Sequence, residues 1–271
     1  MAASEGVDLE WCIVEKVRVK NGKQKKFTKT YSKNILAQAE KCIKHLEDYA
    51  NGKQIEIWHS DEASGPYGSI SAKPEPKTDI VAKIGTKTHT ISVKMEGPVQ
   101  LASGQGASSA ELFRCAAKHM PLVQNRKVLD SIIKELSAMP TRLLSTANKQ
   151  RVEKESSSKV IEEFIKNGKI IQSKDYEYWI QNNKEILLNS MIDYIDEDDD
   201  FQTALLYEAL TGEYSLSQYR GAVADSIISP KGFYEIDGAY VDSIKRNVKF
   251  DVRGKSRSGI TSLAFRIDLK Q

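Results

Sequence analysis

An acidic and a basic residue stand at the ends of two short apolar stretches near the middle of this chain. Asp79 opens the stretch Ile80–Ala82, and Lys94 closes the stretch from His89 to Met95. A short polar turn with Gly85 separates them, so we predict an antiparallel strand pair that brings Asp79 beside Lys94. A carboxylate there can hold Mg²⁺, which prefers oxygen ligands, while the lysine orients or deprotonates water and offsets phosphate charge. This pattern suits metal-assisted cleavage of a phosphodiester bond.

The second strand ends in Ser92-Val93-Lys94, and with Asp79 this segment resembles the motif of the PD-(D/E)XK nucleases, which have the restriction-endonuclease-like fold. That motif has an Asp on one strand and acid-x-Lys on the next. Ser92 replaces the acid in this chain. A minority of restriction enzymes in the superfamily also carry Ser-x-Lys, and their second carboxylate has moved to the following helix. The segment 91–104 is also similar to phage-encoded proteins of this nuclease fold.

The resemblance implies a metal site for Mg²⁺, or for Mn²⁺ in its place. Asp79 and a second carboxylate would be ligands, and the Val93 carbonyl would be a third. Glu111, on the helix after the second strand, is the first choice for the moved carboxylate, and Glu96 is the second. Glu40, on the helix before the Asp79 strand, matches an extra ligand in some superfamily members. Helix capping explains Glu111 equally well, and solvation of a helix surface explains Glu40 better.

The resemblance also implies which residues contact the substrate. Lys94 would position the nucleophilic water, and Gln100 falls where related nucleases place a glutamine near the scissile phosphate. Ser92 and Ser103 would steady the phosphate. A Gly/Ser-rich connection leads into the helix, which we expect to begin near 110, with Glu111 in its first turn. The N–H groups at such a helix start favour an anion.

Two basic segments predict contacts with nucleic acid. From 15 to 33, around the hairpin turn Asn21-Gly22, the chain has eight basic residues and one acid, and from 245 to 270 it has eight against two. The candidates are Lys16, Arg18, Lys23, Lys25, Lys26, Arg253, Lys255 and Arg257. Such density suits a phosphate backbone. Solvated lysines that guard an edge strand are an equally good explanation of the first segment.

Composition restricts the class of protein. The chain has 271 residues, of which 40% are hydrophobic and 28% charged, as in ordinary soluble globular proteins. The sequence contains no run of about 18 apolar residues, so it predicts no membrane span. Its first residues do not resemble a signal peptide. Cys12, Cys42 and Cys115 are too scattered for a disulfide framework or a zinc site. We therefore expect a cytoplasmic protein with reduced cysteines, and the resemblance implies a phage as its source.

The predicted fold class is α/β (α+β): a restriction-endonuclease-like mixed sheet flanked by helices, with a largely helical insertion or subdomain. We divide the chain into a nuclease-like core (1–119), a helical segment (120–230) and C-terminal basic strands that return to the core (231–271). The expected helices are about 34–49, 110–119, 126–139, 146–167, 175–194, 201–211 and 219–228. Further strands are expected at 10–31, 54–59, 233–236, 248–253 and 262–269.

The favoured function is a Mg²⁺-dependent DNA endonuclease, with RNA left open as the substrate and a homodimer as a state common in the superfamily. The alternative is a non-catalytic nucleic-acid-binding protein, such as a phage structural or packaging factor on a degenerate nuclease fold, and Ser92 favours it. A third interpretation is a protein-interaction module with generic basic surfaces. Binding to DNA that does not weaken with salt would favour this third interpretation.

Overall fold

The computed structural model describes residues 11–20, 23–71, 75–95, 99–104, 106–138, 142–144, 170–172, 185–257 and 260–270. Its α-helices are α1 Lys33–Ala50, α2 Gly106–Lys118, α3 Arg126–Ala138, α4 Glu185–Glu197, α5 Asp199–Thr211 and α6 Gly238–Ile244. Its strands are β1 Trp11–Lys20, β2 Lys23–Ser32, β3 Ile55–His59, β4 Ile80–Ile84, β5 Lys87–Val93, β6 Val99–Gly104, β7 Arg142–Leu144, β8 Ile170–Gln172, β9 Ser226–Ser229, β10 Gly232–Glu235, β11 Val248–Arg257 and β12 Ile260–Leu269. The predicted α/β class is confirmed.

The first five-stranded sheet has the order β10-β9-β5-β4-β3. The predicted hairpin of β4 and β5 is its centre, with Ile80 opposite Ile91 and a turn at Gly85, whose φ is +60°. Glycine suits this turn because it adopts a positive φ without strain. Strand β9 runs parallel to β5, and β10 returns antiparallel to β9. Residues more than 130 positions apart in the sequence therefore meet at the end of β5, next to Lys94.

The two faces of this sheet pack against different parts of the chain. Helix α1 covers one face, where a cluster of apolar side chains is buried: Cys42, Leu46, Ala50, Ala82, Ile84, Ile91 and Ile228. On the other face, Val81 packs with Leu216, and Ile227 joins the larger core. Because side chains alternate along a strand, Asp79 and Ser92 belong to the face opposite α1, the face on which Val81 lies.

The larger core lies between the second sheet and helices α2 to α6. In this sheet β12 pairs with β11 along its whole length and with β6 on its other side. Phe113 of α2, Phe201 of α5 and Phe265 of β12 are fully buried and in ring contact. The sequence predicts a Gly/Ser-rich connection where β6 lies. The segment forms a strand instead because Val99 and Leu101, two positions apart, both reach this core.

Segment 219–228 differs from the predicted helix. It forms turns followed by β9, whose residues are all buried. Ile227 and Ile228 face the two different cores, so an apolar pair that resembles a helix stripe is here a strand buried on both faces. The predicted helix 146–167 lies outside the described residues, as does the first part of the one at 175–194. No helix among the described residues is long and apolar enough to cross a membrane.

Candidate functional site

Asp79 and Lys94 lie at neighbouring strand ends, as predicted. The backbone N–H of Asp79 donates to the Ile91 carbonyl at 2.9 Å, which continues the β4–β5 ladder to the residue before β4. The backbone N–H of Lys94 donates to the Ile228 carbonyl at 2.8 Å, which ties the end of β5 to β9. Both backbones are therefore held by the sheet.

The Asp79 carboxylate is oriented by two donors from β5. Its Oδ2 accepts the Val93 N–H at 2.8 Å and the Ser92 hydroxyl at 3.3 Å. Ser92 is 1% exposed, whereas Asp79 is exposed. No hydrogen-bond donor among the described residues binds Oδ1 of Asp79. The serine that replaces the expected acid thus joins the Val93 N–H in orienting one oxygen of the Asp79 carboxylate, and no described residue occupies the other.

Lys94 is half-buried on the same side of the sheet. Burial lowers the pKa of its ammonium, and attraction by Asp79 raises it in part. Asp79 and Lys94 thus interact electrostatically while the Asp79 carboxylate keeps its hydrogen bonds to β5. A lysine that loses its proton more easily and stands near a fixed carboxylate can exchange a proton with a bound water.

Lys77 is a third member of this cluster, and no motif in the sequence points to it. Its Nζ donates to the Leu101 carbonyl of β6 at 2.9 Å. Desolvation, together with repulsion by Lys94, lowers the pKa of Lys77 to about 8, against attraction by Glu208 and Asp79. Lys77 lies two residues before Asp79, and strand alternation over this interval could have placed it on the same side. Such alternation predicts neither burial nor a partner carbonyl.

A buried carboxylate, that of Glu208, lies near this cluster and attracts Lys77. Glu208 of α5 is fully buried and accepts the backbone N–H groups of Tyr214 and Ser215 at 3.0 and 2.9 Å. Its Oε2 is also 2.9 Å from Nε2 of His119 on α2. These contacts join α5, the loop after it and α2. We regard Glu208 as structural because its lone pairs are committed to the protein itself.

Glu111 is positioned differently from the prediction. Helix α2 begins at Gly106, four residues earlier than expected, so Glu111 belongs to its second turn and the first turn contains no acid. The Glu111 carboxylate is half-exposed, pairs with Arg114 at 3.2 Å and accepts the Cys115 thiol at 3.4 Å. Neither contact involves Asp79. Glu96, the other candidate, lies outside the described residues.

Glu40 and Gln100 lie on surfaces that do not face Asp79. Glu40 is exposed on α1, which covers the opposite face of the first sheet. Gln100 is exposed on β6 opposite Asp268, between Val99 and Leu101, whose side chains enter the core. Because alternate residues of a strand point to opposite sides, Gln100 points away from that core. Among the described residues, no hydrogen bond joins either residue to the Asp79 carboxylate, whose donors are Ser92 and Val93.

The predicted basic contacts can be located by their backbones alone. The hairpin of β1 and β2 forms as expected, with Arg18 opposite Lys25 and Lys20 opposite Lys23. Ser103 pairs with Arg266 across β6 and β12. Side chains in these strand segments lie outside the described part, as do those of the remaining candidates Lys16, Lys26, Arg253, Lys255 and Arg257. Their role as a nucleic-acid surface stays a prediction.

The donors around Asp79 fit Mg²⁺ or Mn²⁺ only with help from a substrate. Among the described residues, no group of three or more His, Cys, Asp or Glu side chains could hold a metal ion. Mg²⁺, however, commonly binds through one or two carboxylates plus substrate phosphates and retained waters. Oδ1 of Asp79 meets that minimal requirement.

Comparisons of the chain with protein-family models, with curated proteins and with solved structures found no match. The fold and the site describe an α+β protein. At one end of a sheet it has a carboxylate held by hydrogen bonds and two lysines of lowered pKa. Membership of the PD-(D/E)XK superfamily stays a prediction from the sequence motif.

Proposed function

We propose that this protein is a metal-dependent nuclease that hydrolyses phosphodiester bonds, with DNA as its substrate. The observation that carries the proposal is the Asp79 carboxylate, fixed through Oδ2 by Ser92 and Val93, beside a Lys94 of lowered pKa. Hydrolysis of a phosphodiester needs a place for the attacking water, an acceptor for its proton and positive charge near the phosphate. The Asp79 carboxylate and the amino groups of Lys94 and Lys77 can meet those needs.

Each side chain has a distinct task in this proposal. Oδ1 of Asp79 would hold Mg²⁺ or Mn²⁺, and the bound metal would supply Lewis-acid charge to the phosphate and lower the pKa of a water. Lys94 orients the water and, in its neutral form, accepts a proton. Lys77 adds positive charge behind Asp79, since its Nζ is anchored to the Leu101 carbonyl. Ser92 acts through Asp79, as a positioning residue.

A non-catalytic nucleic-acid-binding protein is the second candidate. It is favoured by the replacement of the family's second acid by Ser92, whose hydroxyl is spent on Asp79. A site with one carboxylate among the described residues can keep its affinity for phosphate without hydrolysing it. The two candidates share the binding surface and differ in the chemistry at Asp79.

Cleavage of plasmid DNA, single-stranded DNA and RNA in Mg²⁺ or Mn²⁺ tests the proposal. The wild type is compared with Asp79→Asn and Lys94→Ala, and each variant's thermal unfolding is measured to establish that it folds. We expect either change to lower the cleavage rate by roughly 10²–10³-fold, the usual effect of removing one group that stabilises a transition state. Lys134→Ala, on the exposed side of α3, is the matched control and should retain the wild-type rate.

The results separate the candidates. Full activity in folded Asp79→Asn or Lys94→Ala would refute the site. No cleavage by the wild type in either metal, with DNA binding that weakens as salt rises, would establish the non-catalytic binder instead.

A further inference from the structure

A cleft whose charged lining residues are all lysines includes Lys94. Its volume is about 210 Å³, and its walls come from the end of β5, the β9–β10 turn, α6 and the ends of β6 and β12. Three of its lining residues are lysines, namely Lys94, Lys231 and Lys270, and the described residues that line it include no Asp or Glu. Among the described residues, no ion pair joins Lys231 or Lys270 to a carboxylate, whereas Lys94 is attracted by Asp79, which is not part of the lining. The described lining of the cleft therefore carries positive charge only.

The cleft is built on anchored backbone. The N–H of Lys270 donates to the Asn247 carbonyl at 2.7 Å, which joins the end of β12 to the start of β11. The Tyr234 hydroxyl donates to the Lys231 carbonyl at 3.1 Å, across the β9–β10 turn. These bonds fix the backbones of two of the three lysines that line the cleft. Lysine ammonium groups that line one cleft favour the binding of an anion there.

The cleft also has hydrogen-bonding and aromatic groups. Ser229, Ser243 and Asn247 line it, and their side chains can donate to phosphate oxygens. The rings of Tyr234 and Tyr240 stack with centroids 5.2 Å apart at 29°, and Tyr234 is 39% exposed. An exposed tyrosine ring is a surface on which a nucleobase can stack.

We infer that this cleft binds the terminal phosphate of a nucleotide, with the base against Tyr234. A terminal phosphate carries a charge of about −1.5 to −2 at neutral pH, whereas an internal phosphodiester carries about −1. Three ammonium groups, with no carboxylate among the described lining residues, suit the more highly charged group. A volume of about 210 Å³ is below that of sites for large ligands, which suits a phosphate and its sugar. The nucleotide identity rests on the proposed function, but binding in the cleft requires no cleavage.

Binding of a short thymidine oligonucleotide with and without a 5′-phosphate tests the inference. Fluorescence anisotropy is measured in EDTA, so that neither metal nor hydrolysis contributes. We expect the phosphorylated strand to bind the wild type about tenfold more tightly, the effect of one charge-assisted hydrogen bond. Lys231→Ala and Lys270→Ala, both exposed positions, should abolish that difference, whereas Lys134→Ala should retain it.

Two competitors identify the source of the phosphate. Unlabelled thymidine monophosphate and unlabelled phosphorylated strand each compete with the labelled strand. Equal displacement by the two would identify a free nucleotide as the ligand, and displacement by the phosphorylated strand alone would identify a strand end. Tyr234→Leu should weaken thymidine monophosphate about tenfold relative to inorganic phosphate, since base stacking contributes about 1–3 kcal/mol. Equal binding of inorganic phosphate and thymidine monophosphate to the wild type would overturn the nucleotide assignment.

Equal affinity of the wild type for the two strands would refute the cleft as a phosphate site. The failure of this inference is distinguishable from failure of the proposed nuclease. The strand preference is measured in EDTA, so it requires neither a bound metal nor cleavage. A protein that cleaves nothing but retains this preference would support the cleft and refute the nuclease.

Discussion

Lys77 provides a quantitative test of the charge cluster, through the substitution Lys77→Met. Desolvation and repulsion by Lys94 lower the pKa of Lys77 from 10.5 to about 8. Methionine has a similar length and no charge, so it removes the titration and the hydrogen bond to the Leu101 carbonyl. Any change of this hydrogen bond on deprotonation is already part of the folded-state pKa of Lys77. The pH dependence of the difference between wild type and variant therefore reports the burial of the ammonium.

The sign follows from proton linkage. Between about pH 8 and 10.5 the unfolded chain retains a proton on Lys77 that the folded protein has lost, so the wild type becomes more stable as pH rises. Below pH 8 both states are protonated and the folded state bears the full cost of the buried charge. At about 1.4 kcal/mol for each unit of pKa, the wild type should gain about 3 kcal/mol over Lys77→Met, most of it by pH 10.

Urea unfolding at intervals from pH 7 to pH 10 measures this difference. Lys134→Met on α3 is the control, because Lys134 is exposed and its substitution should give a difference that does not change with pH. A Lys77→Met difference that is flat over the same range would refute the inference that a charged Lys77 is desolvated beside Lys94. It would also remove Lys77 from the proposed site.

Two further substitutions test the framework around the site. Glu208→Gln should lower the free energy of unfolding, measured in urea, by about 2–4 kcal/mol. The Glu208 carboxylate accepts hydrogen bonds from His119 and from two backbone N–H groups, whereas the NH₂ group of glutamine can only donate. Gly212→Ala should cost more than its control Gly52→Ala in thermal unfolding. Both glycines have positive φ, but a Cβ at Gly212 would lie 2.7 Å from Leu216, whereas Gly52 has open space. Equal losses from the two alanines would contradict the close packing of Leu216 against the end of α5.

The sequence predicted the parts of the fold that depend on local pattern. Alternation and a glycine turn identified the β4–β5 hairpin, and helix periodicity identified α1, α3 and α5. For the site, the same hairpin was enough to put Asp79 and Lys94 on adjacent strands. This succeeded because a short turn leaves few other registers for two neighbouring strands.

Features that depend on distant contacts could not be predicted in this way. Strand β9 is a strand because β5 and β10 flank it, and its partner β5 lies more than 130 residues earlier in the chain. Strand β6 has an alternating pattern of only two buried residues, Val99 and Leu101, within a Gly/Ser-rich segment. The lowered pKa of Lys77 depends on such contacts too, since β6 supplies its carbonyl partner. Local residue type carries no information about such partners.

Ser92 connects the structure to the choice between the two functions. In the PD-(D/E)XK motif, which this segment resembles, that position supplies a second carboxylate, whereas here its hydroxyl orients Asp79 from within the sheet. If the site holds a metal through the other carboxylate oxygen, as we propose, the ion would depend on substrate phosphate for its other anionic ligands. The three lysines that line the adjoining cleft would supply affinity for that phosphate without a metal. Substrate binding would then come first, and the substrate phosphate would complete the metal site. If no metal bound after the substrate, the same residues would bind nucleic acid without cleaving it.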